Sequence, residues 1–208
     1  MGIGSINSPV PTSEADWKDL LEEILPPQGR WSVNEYLVLT DHRNRLVEFT
    51  DGYLDVLPMP TDKHQSVLTF LFVVFHAVVE PLGGKVQLAP LRLQVRPGKF
   101  REPDLMLLAS ATDPRRQNRF WLGADLALEV VSEENPERDL VQKRLDYAEG
   151  RIPEYWIVNP ANESITVLQL RGDRYEEIGV GVYRRGESAV SALLPGLSVS
   201  VSAVFDAD

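Results

Sequence analysis

Two short apolar runs, each with a carboxylate beside or inside it, limit the fold of this chain more than any other feature. Residues 105–108 follow Asp104 directly, and residues 126–131 contain Glu129. Runs this short and this apolar are typical of central strands that are covered on both faces. A charge at such a strand persists only when it is paired, neutralised or bound to a metal. The sequence therefore predicts a layered fold with a polar site at its central strands.

The order of the patterned segments predicts a mixed α/β domain. The expected elements are, in chain order, helices at 13–25 and from 32, a hairpin at 46–57, a helix at 63–80, one or two strands at 86–96, strands at 104–108 and 126–131, a helix at 136–150, and strands at 155–158 and 165–170. Asp51 and Gly52 should form the hairpin turn, because this pair favours the tight turn that joins antiparallel strands. Additional β pattern follows toward residue 201. We predict one α/β domain at 14–208, preceded by a flexible segment at 1–13.

Two local patterns refine the helices. The sequence from Ser32 to Glu35 resembles a capping box, in which each side chain accepts a hydrogen bond from the backbone of the other residue. The apolar stripe that the 136–150 helix should bury consists of Leu140, Val141, Leu145 and Ala148. Lys143 lies opposite much of this stripe, so we expect its amine to point back toward the strand that carries Glu129.

Composition narrows what the polar site can bind. The 208 residues include no cysteine, so a metal would need carboxylate, imidazole or carbonyl ligands, which suit hard cations. The 31 acidic and 21 basic residues give a net charge of −10, which disfavours strong nonspecific binding to nucleic acid. The longest apolar run, residues 67–79, is shorter than the roughly 20 residues that span a bilayer, and residues 1–12 lack a signal-peptide pattern. We therefore expect a cytoplasmic protein with no membrane partner.

A third carboxylate joins the two at the central strands. Glu48 lies between Val47 and Phe49 in the first strand of the hairpin. Three carboxylates on neighbouring strands would repel one another, and Mg²⁺ or Mn²⁺ would relieve that repulsion. Such a metal beside Lys143 would suit phosphodiester hydrolysis, because it lowers the pKa of bound water while both cations stabilise the charge that grows on the phosphate.

Each of these residues also has a simpler interpretation. A single glutamate at a strand end is usually solvated, and a helical lysine four residues from an aspartate usually forms a surface ion pair. His64, at the start of the apolar helix, is a second-tier candidate for binding metal or phosphate, and the alternative is a half-exposed histidine at a helix start.

In this order, the residues resemble the Uma family, also called domain of unknown function 820, within the PD-(D/E)XK nuclease superfamily. The resemblance covers roughly residues 31–205. Its markers are Glu48 with Asp51 and Gly52, the segment 58–64, Glu102 through Leu105, Leu128 through Ser132, Asp139 with Leu140, Lys143, Arg144 and Tyr147, Ile152 through Trp156, and Leu194 through Leu197. It implies a restriction-endonuclease-like fold, with a mixed central β-sheet that is flanked by helices.

The resemblance also implies a role for each site residue. Asp104 matches the aspartate of the first motif, Glu129 the acidic residue of the second motif, and Glu48 the upstream acidic residue. Asp104 and Glu129 would bind Mg²⁺ or Mn²⁺ with the backbone carbonyl of Val130, and Glu48 would hold a second metal or a bound water.

The second motif departs from its common form at the lysine position. Val131 occupies this position, two residues after Glu129. Relatives with this departure place the lysine on the following helix, where Lys143 stands here. A long ammonium side chain can reach one site from either backbone position.

We therefore predict a metal-dependent endonuclease that hydrolyses DNA. Two alternatives stay open: an inactive nuclease-fold module for binding or assembly, which the net charge of −10 favours, and a metal-dependent phosphoesterase for a small substrate. A homodimer would suit the cutting of two strands, and a monomer is equally compatible with the sequence.

Overall fold

A computed structural model describes residues 13, 25–42 and 45–207. The predicted flexible segment at 1–13 and the predicted helix at 13–25 lie outside the described residues except for Ser13 and Leu25. The two domain boundaries therefore stay predictions.

The described residues form a mixed α/β architecture, as the sequence predicts. The elements are α1 (Val33–Asp41), β1 (Val47–Thr50), β2 (Tyr53–Val56), α2 (Asp62–Val79), β3 (Lys85–Leu88), β4 (Arg92–Arg96), β5 (Lys99–Arg101), β6 (Leu105–Leu108), β7 (Phe120–Trp121), β8 (Leu126–Val130), a π-helical turn (Arg138–Gln142), α3 (Lys143–Glu149), β9 (Glu154–Asn159), β10 (Ser164–Arg171), β11 (Arg174–Arg184), β12 (Ser188–Val190), β13 (Ser198–Ser200) and α4 (Val201–Phe205). The predicted capping box at Ser32 is present at the start of α1.

A six-stranded sheet contains the two central strands. Its order is β11-β10-β9-β8-β6-β3, and all residues of β6 and β8 are buried. Strands β8 and β9 are parallel, and a parallel pair needs a crossover connection. The π-helical turn and α3 form that crossover. Asp104 lies directly before β6 and Glu129 lies in β8, so the sheet brings both carboxylates to one edge of the central strands.

A five-stranded sheet, with the order β2-β1-β5-β4-β7, supplies the hairpin. Asp51 and Gly52 have φ values of 47° and 94°, which are the left-handed values that a tight hairpin turn requires. The register places Glu48 of β1 directly opposite Asp55 of β2. Two like charges therefore face each other across this hairpin.

The buried face of the crossover differs from the predicted one. Val141 and Leu145 of the predicted apolar stripe are 54% and 68% exposed, and Leu140 is also exposed. Ala148 of the predicted stripe is buried, and the other buried side chains of the crossover are Asp139, Lys143, Asp146 and Tyr147. This orientation is stable because partners on β1, β5 and β8 compensate the buried charges. The predicted buried face is wrong at Leu140, Val141 and Leu145, because the periodicity of apolar residues does not show that charged side chains can be buried as ion pairs.

Apolar packing fixes the crossover and α2 on opposite faces of the larger sheet. Buried residues on one face of α2, including Leu71 and Phe75, contact the face of the sheet that carries Trp156. The ring centroids of Phe75 and Trp156 lie 5.3 Å apart. On the other face, Tyr147 of α3 packs against Tyr155 of β9 at 5.0 Å. No helix in the described part of the chain has the length and apolar character that a membrane span needs.

Candidate functional site

A cavity of about 640 Å³ lies where the start of β6, the end of β8, the start of α2 and the crossover meet. We call it the site cavity. Its polar wall includes Asp55, Lys63, His64, Glu102, Asp104, Glu129, Arg138, Asp139 and Lys143. Val56 through Thr61 form one rim, and Val130 through Asn135 form another part of the wall.

Asp104 is held by the backbone of β8 and by His64. The Val130 N–H donates to Asp104 Oδ2 at 2.8 Å. This N–H is available because the pairing between β6 and β8 ends at Leu105 and Leu128. His64 Nε2 lies 3.1 Å from the same oxygen. Among the described residues, none donates a hydrogen bond to Oδ1, and this oxygen is not a buried unpartnered atom, so it is accessible from the cavity.

Glu129 and Lys143 form the centre of the site. Lys143 Nζ lies 2.7 Å from Glu129 Oε2, and both side chains are almost fully buried. The same amine lies 3.2 Å from Asp139 Oδ1 and 3.9 Å from Glu48 Oε1. The Tyr147 hydroxyl donates to the second oxygen of Glu129. The lysine from the crossover therefore reaches the carboxylate of β8.

The surrounding carboxylates keep the amine of Lys143 charged. Burial alone would lower the pKa of this amine, but Glu129, Glu48 and Asp139 outweigh burial and raise the pKa above its usual value. Burial raises the pKa of Glu129 well above its usual value, although the adjacent Lys143 acts in the opposite direction. Lys143 is therefore an ammonium group at neutral pH, and it can donate hydrogen bonds but cannot accept a proton.

Glu48 lies behind the site cavity, among cations of the protein. Its Oε2 accepts from Arg138 Nη2 at 2.7 Å and lies 3.4 Å from Arg101 Nε. Burial would raise the pKa of Glu48, but Lys143, Arg101 and Arg138 together lower it. Glu48 is not part of the cavity wall. Its carboxylate therefore holds Lys143 and Arg138 in place.

The oxygen atoms on the wall fit a divalent cation that is held by few protein ligands. Asp104 and Glu129 present hard oxygen donors, and Oδ1 of Asp104 is free to bind. In the described ranges, no group of three or more histidine, aspartate and glutamate side chains is spaced to hold a metal ion. Mg²⁺ commonly binds through one or two carboxylates and completes its coordination with water and substrate phosphate. The two carboxylates and the backbone at Val130 fit that mode, whereas a closed protein cage does not fit.

The predicted source of charge compensation needs correction. The sequence argument assigned the relief of carboxylate repulsion to a metal. In the structure, Lys143, Arg101 and Arg138 compensate the buried carboxylates, so these carboxylates can coexist without one. The case for a metal therefore depends on the accessible Oδ1 of Asp104, since both oxygens of the buried Glu129 already have partners, and not on repulsion.

Arg138 and Glu102 are among the charged residues of the cavity wall that were not predicted from the sequence. Arg138 precedes Lys143 by about one helical turn, and its guanidinium bridges Glu48 and Asp55. A signal was present in the hairpin, because two acidic residues directly opposite each other are destabilising, which favours a cation between them. Glu102, two residues before Asp104, accepts a hydrogen bond from the Val47 N–H at 2.9 Å, and burial raises its pKa to about 8.

Comparisons with known proteins agree with this architecture. Residues 33–202 match the Uma2 family, which is described as "Putative restriction endonuclease". The fold is similar to a crystal structure of "a putative nuclease belonging to DUF820" from Anabaena variabilis ATCC 29413, with a TM-score of 0.69. That likeness covers 88% of this chain and 99% of the other at 19% sequence identity, and it confirms the predicted fold class. No curated protein sequence matches the chain.

Proposed function

The chain belongs to the Uma2 family, and from this membership we propose that it hydrolyses DNA phosphodiester bonds in the site cavity with Mg²⁺ or Mn²⁺. One observation carries the proposal: the ammonium group of Lys143 lies 2.7 Å from Glu129, beside an accessible oxygen of Asp104. Two acidic residues and a lysine from separate elements thus meet at one wall, which is the donor set that phosphodiester hydrolysis uses.

Asp104 and Glu129, with the carbonyl of Val130, would hold the cation. Bound there, the ion would supply positive charge to the phosphate and lower the pKa of a water molecule. His64 would keep the Asp104 carboxylate in orientation through the contact at Oδ2, which leaves Oδ1 directed to the cavity.

Lys143 would donate hydrogen bonds to a phosphoryl oxygen, where negative charge grows during the reaction. Its raised pKa excludes a role as general base at neutral pH. Glu129 and Asp139 restrain the amine before substrate binds, so little reorganisation is needed at the moment of reaction. For Glu48 we propose a positioning role in place of the predicted role as a metal or water ligand, because both its oxygens face cations or the Glu102 N–H.

Nicking of supercoiled plasmid DNA with Mn²⁺ or Mg²⁺ tests the proposal. We expect the native chain to nick, and Lys143→Ala to lose at least about a hundredfold in rate. Lys85→Ala is the matched control, because Lys85 also pairs with a glutamate at 2.8 Å but lies outside the cavity wall. A Lys143→Ala variant that nicks at the native rate would assign the activity to another site or to a contaminant. A native chain that does not nick would favour the inactive binding module.

The size of the cavity supports a second candidate. A volume of about 640 Å³ is within the range of roughly 300–1,000 Å³ for small-molecule sites, and the net charge of −10 disfavours a long polyphosphate chain. The second candidate is therefore a phosphoesterase for a small phosphodiester. Hydrolysis of bis(p-nitrophenyl) phosphate that depends on Lys143, without plasmid nicking, would favour it. A homodimer that cuts two strands stays a prediction.

A further inference from the structure

Arg138 is, like Lys63, a cation of the cavity wall to which the proposed chemistry assigns no role. It lies in the π-helical turn that leads into α3, and its side chain is only 14% exposed. Such turns occur frequently at functional sites, because they reorient a side chain within a helix. Arg138 Nη2 lies 2.7 Å from Glu48 Oε2 and 2.8 Å from Asp55 Oδ2.

The two carboxylates that hold Arg138 differ in their environment. Glu48 is buried and also contacts Arg101 and Lys143, so it stays in place. The Asp55 side chain is 64% exposed, and it lies at the edge of the site cavity. An ion pair with so exposed a partner contributes little and exchanges readily with water. The contact between Arg138 and Asp55 can therefore open while the contact with Glu48 persists.

The remaining donors of Arg138 are accessible. Its Nε and Nη1 make no hydrogen bond within the described residues, and they are not buried unpartnered atoms. Because Arg138 lines the cavity, these donors are reached from it. Departure of Asp55 would open the space beside Nη2 and Nη1, and these two nitrogens form the fork that binds a phosphate through two parallel hydrogen bonds.

Arg138 and Lys143 flank one side of the cavity, because both contact the carboxylate of Glu48. The rest of the wall carries Asp104, Glu129 and Asp139, beside Lys63 and His64. In a chain with a net charge of −10, a phosphate would be repelled from this wall unless fixed cations meet it. Lys143 and Arg138, with side chains only 5% and 14% exposed, are two such cations among the described wall residues.

We propose that Arg138 binds a backbone phosphate of the DNA strand, and that the exposed carboxylate of Asp55 occupies this guanidinium until the phosphate displaces it. The proposal rests on the proposed function, because it assumes a nucleic acid in the site cavity. It assigns Asp55 as a competitor that mimics a phosphate in the free protein. Arg138 would thus contact one backbone phosphate, while Lys143 contacts the phosphate that reacts.

Binding without cleavage tests this assignment. The probe is a fluorescein-labelled DNA duplex of about 20 base pairs in EDTA, and its anisotropy gives the Kd at several KCl concentrations. We expect Arg138→Gln to raise the Kd about tenfold and to reduce the slope of log Kd against log[KCl] by about 1. We expect Asp55→Asn to lower the Kd about two- to fivefold.

Asp55→Asn keeps the test decisive if Arg138→Gln folds poorly, since tighter binding cannot result from misfolding. Arg174→Gln and Glu176→Gln are the matched controls, because these residues form an exposed ion pair outside the cavity wall. We expect both controls to bind as the native chain does.

Three results would overturn the proposal: a native chain that does not bind the duplex, a folded Arg138→Gln variant that binds with the native affinity and salt slope, or an Asp55→Asn variant that binds no more tightly than the native chain. The experiments distinguish a failure of the proposed phosphate contact at Arg138 from a failure of the proposed DNA hydrolysis. Plasmid nicking that depends on Lys143 but not on Arg138 would remove the phosphate contact alone. DNA binding that depends on Arg138, without nicking, would remove hydrolysis alone.

Discussion

Replacement of Lys143 by methionine removes one buried positive charge and keeps most of the side-chain volume. In the native chain, the amine lies within 4 Å of three carboxylates, at 2.7 Å from Glu129, 3.2 Å from Asp139 and 3.9 Å from Glu48. Removal of one partner of a buried ion pair typically costs about 3–5 kcal/mol, because the other partner stays buried without compensation. We expect Lys143→Met to lower the free energy of unfolding by about this amount near pH 7.5.

The loss should depend on pH. In the native chain, Lys143, Arg101 and Arg138 lower the folded pKa of Glu48, so its contribution to stability is present above its unfolded pKa and is lost as pH falls through the folded pKa. Without Lys143, the folded pKa of Glu48 rises. The difference in stability between native chain and variant should therefore shrink as the pH is lowered toward about 4.

Urea unfolding, followed by tryptophan fluorescence, measures both quantities. Lys85→Met is the control, because Lys85 and Glu80 form an ion pair of similar length, 2.8 Å, whose side chains are 28% and 31% exposed. We expect that substitution to change the stability by less than about 1 kcal/mol. The reasoning is refuted if Lys143→Met is as stable as the native chain at pH 7.5. A loss of equal size at both pH values would assign the effect to packing instead of charge.

Two further predictions test the surroundings of the site. Glu102 keeps its proton in the folded state up to about pH 8. The free energy of unfolding should therefore fall as the pH rises from the unfolded pKa of Glu102 to about 8, by up to about 1.4 kcal/mol per pH unit. Glu102→Gln should remove this pH dependence, which urea unfolding at several pH values measures. A slope that Glu102→Gln leaves unchanged would contradict the assigned pKa. Gly52→Ala should destabilise the hairpin by about 2 kcal/mol or more, because φ is +94° and the new Cβ would lie 2.7 Å from the Gly29 carbonyl. Gly172→Ala, with φ of +64° and no atom within 4 Å, should cost only about 1 kcal/mol. Urea unfolding of both variants measures the two losses, and equal losses would contradict the steric argument.

The features that could be predicted from the sequence are those set by local chemistry. The Asp51–Gly52 turn and the Ser32 capping box follow from backbone preferences and short-range hydrogen bonds, and both are present. The buried strands at Asp104 and Glu129 follow from two apolar runs that no exposed element would carry.

The features that could not be predicted depend on partners far apart in the chain. Leu145 is exposed and Lys143 is buried because Lys143 pairs with carboxylates on β1 and β8. The periodicity of apolar residues in the helix contains no information about those strands. The position of Arg138 could not be predicted either, because the hairpin sets Glu48 opposite Asp55 but does not show which distant cation reaches them. Long-range charge compensation is thus what decides the interior of this site.

Binding of Mn²⁺ measures whether Asp104 and Glu129 hold a divalent cation beside Lys143. Calorimetric titration compares the native chain with Asp104→Ala, and Asp173→Ala serves as the control in an exposed turn outside the cavity wall. The account predicts that the native chain and the control bind Mn²⁺, and that Asp104→Ala binds it at least about tenfold more weakly. Equal Mn²⁺ binding by the native chain and Asp104→Ala would contradict the account.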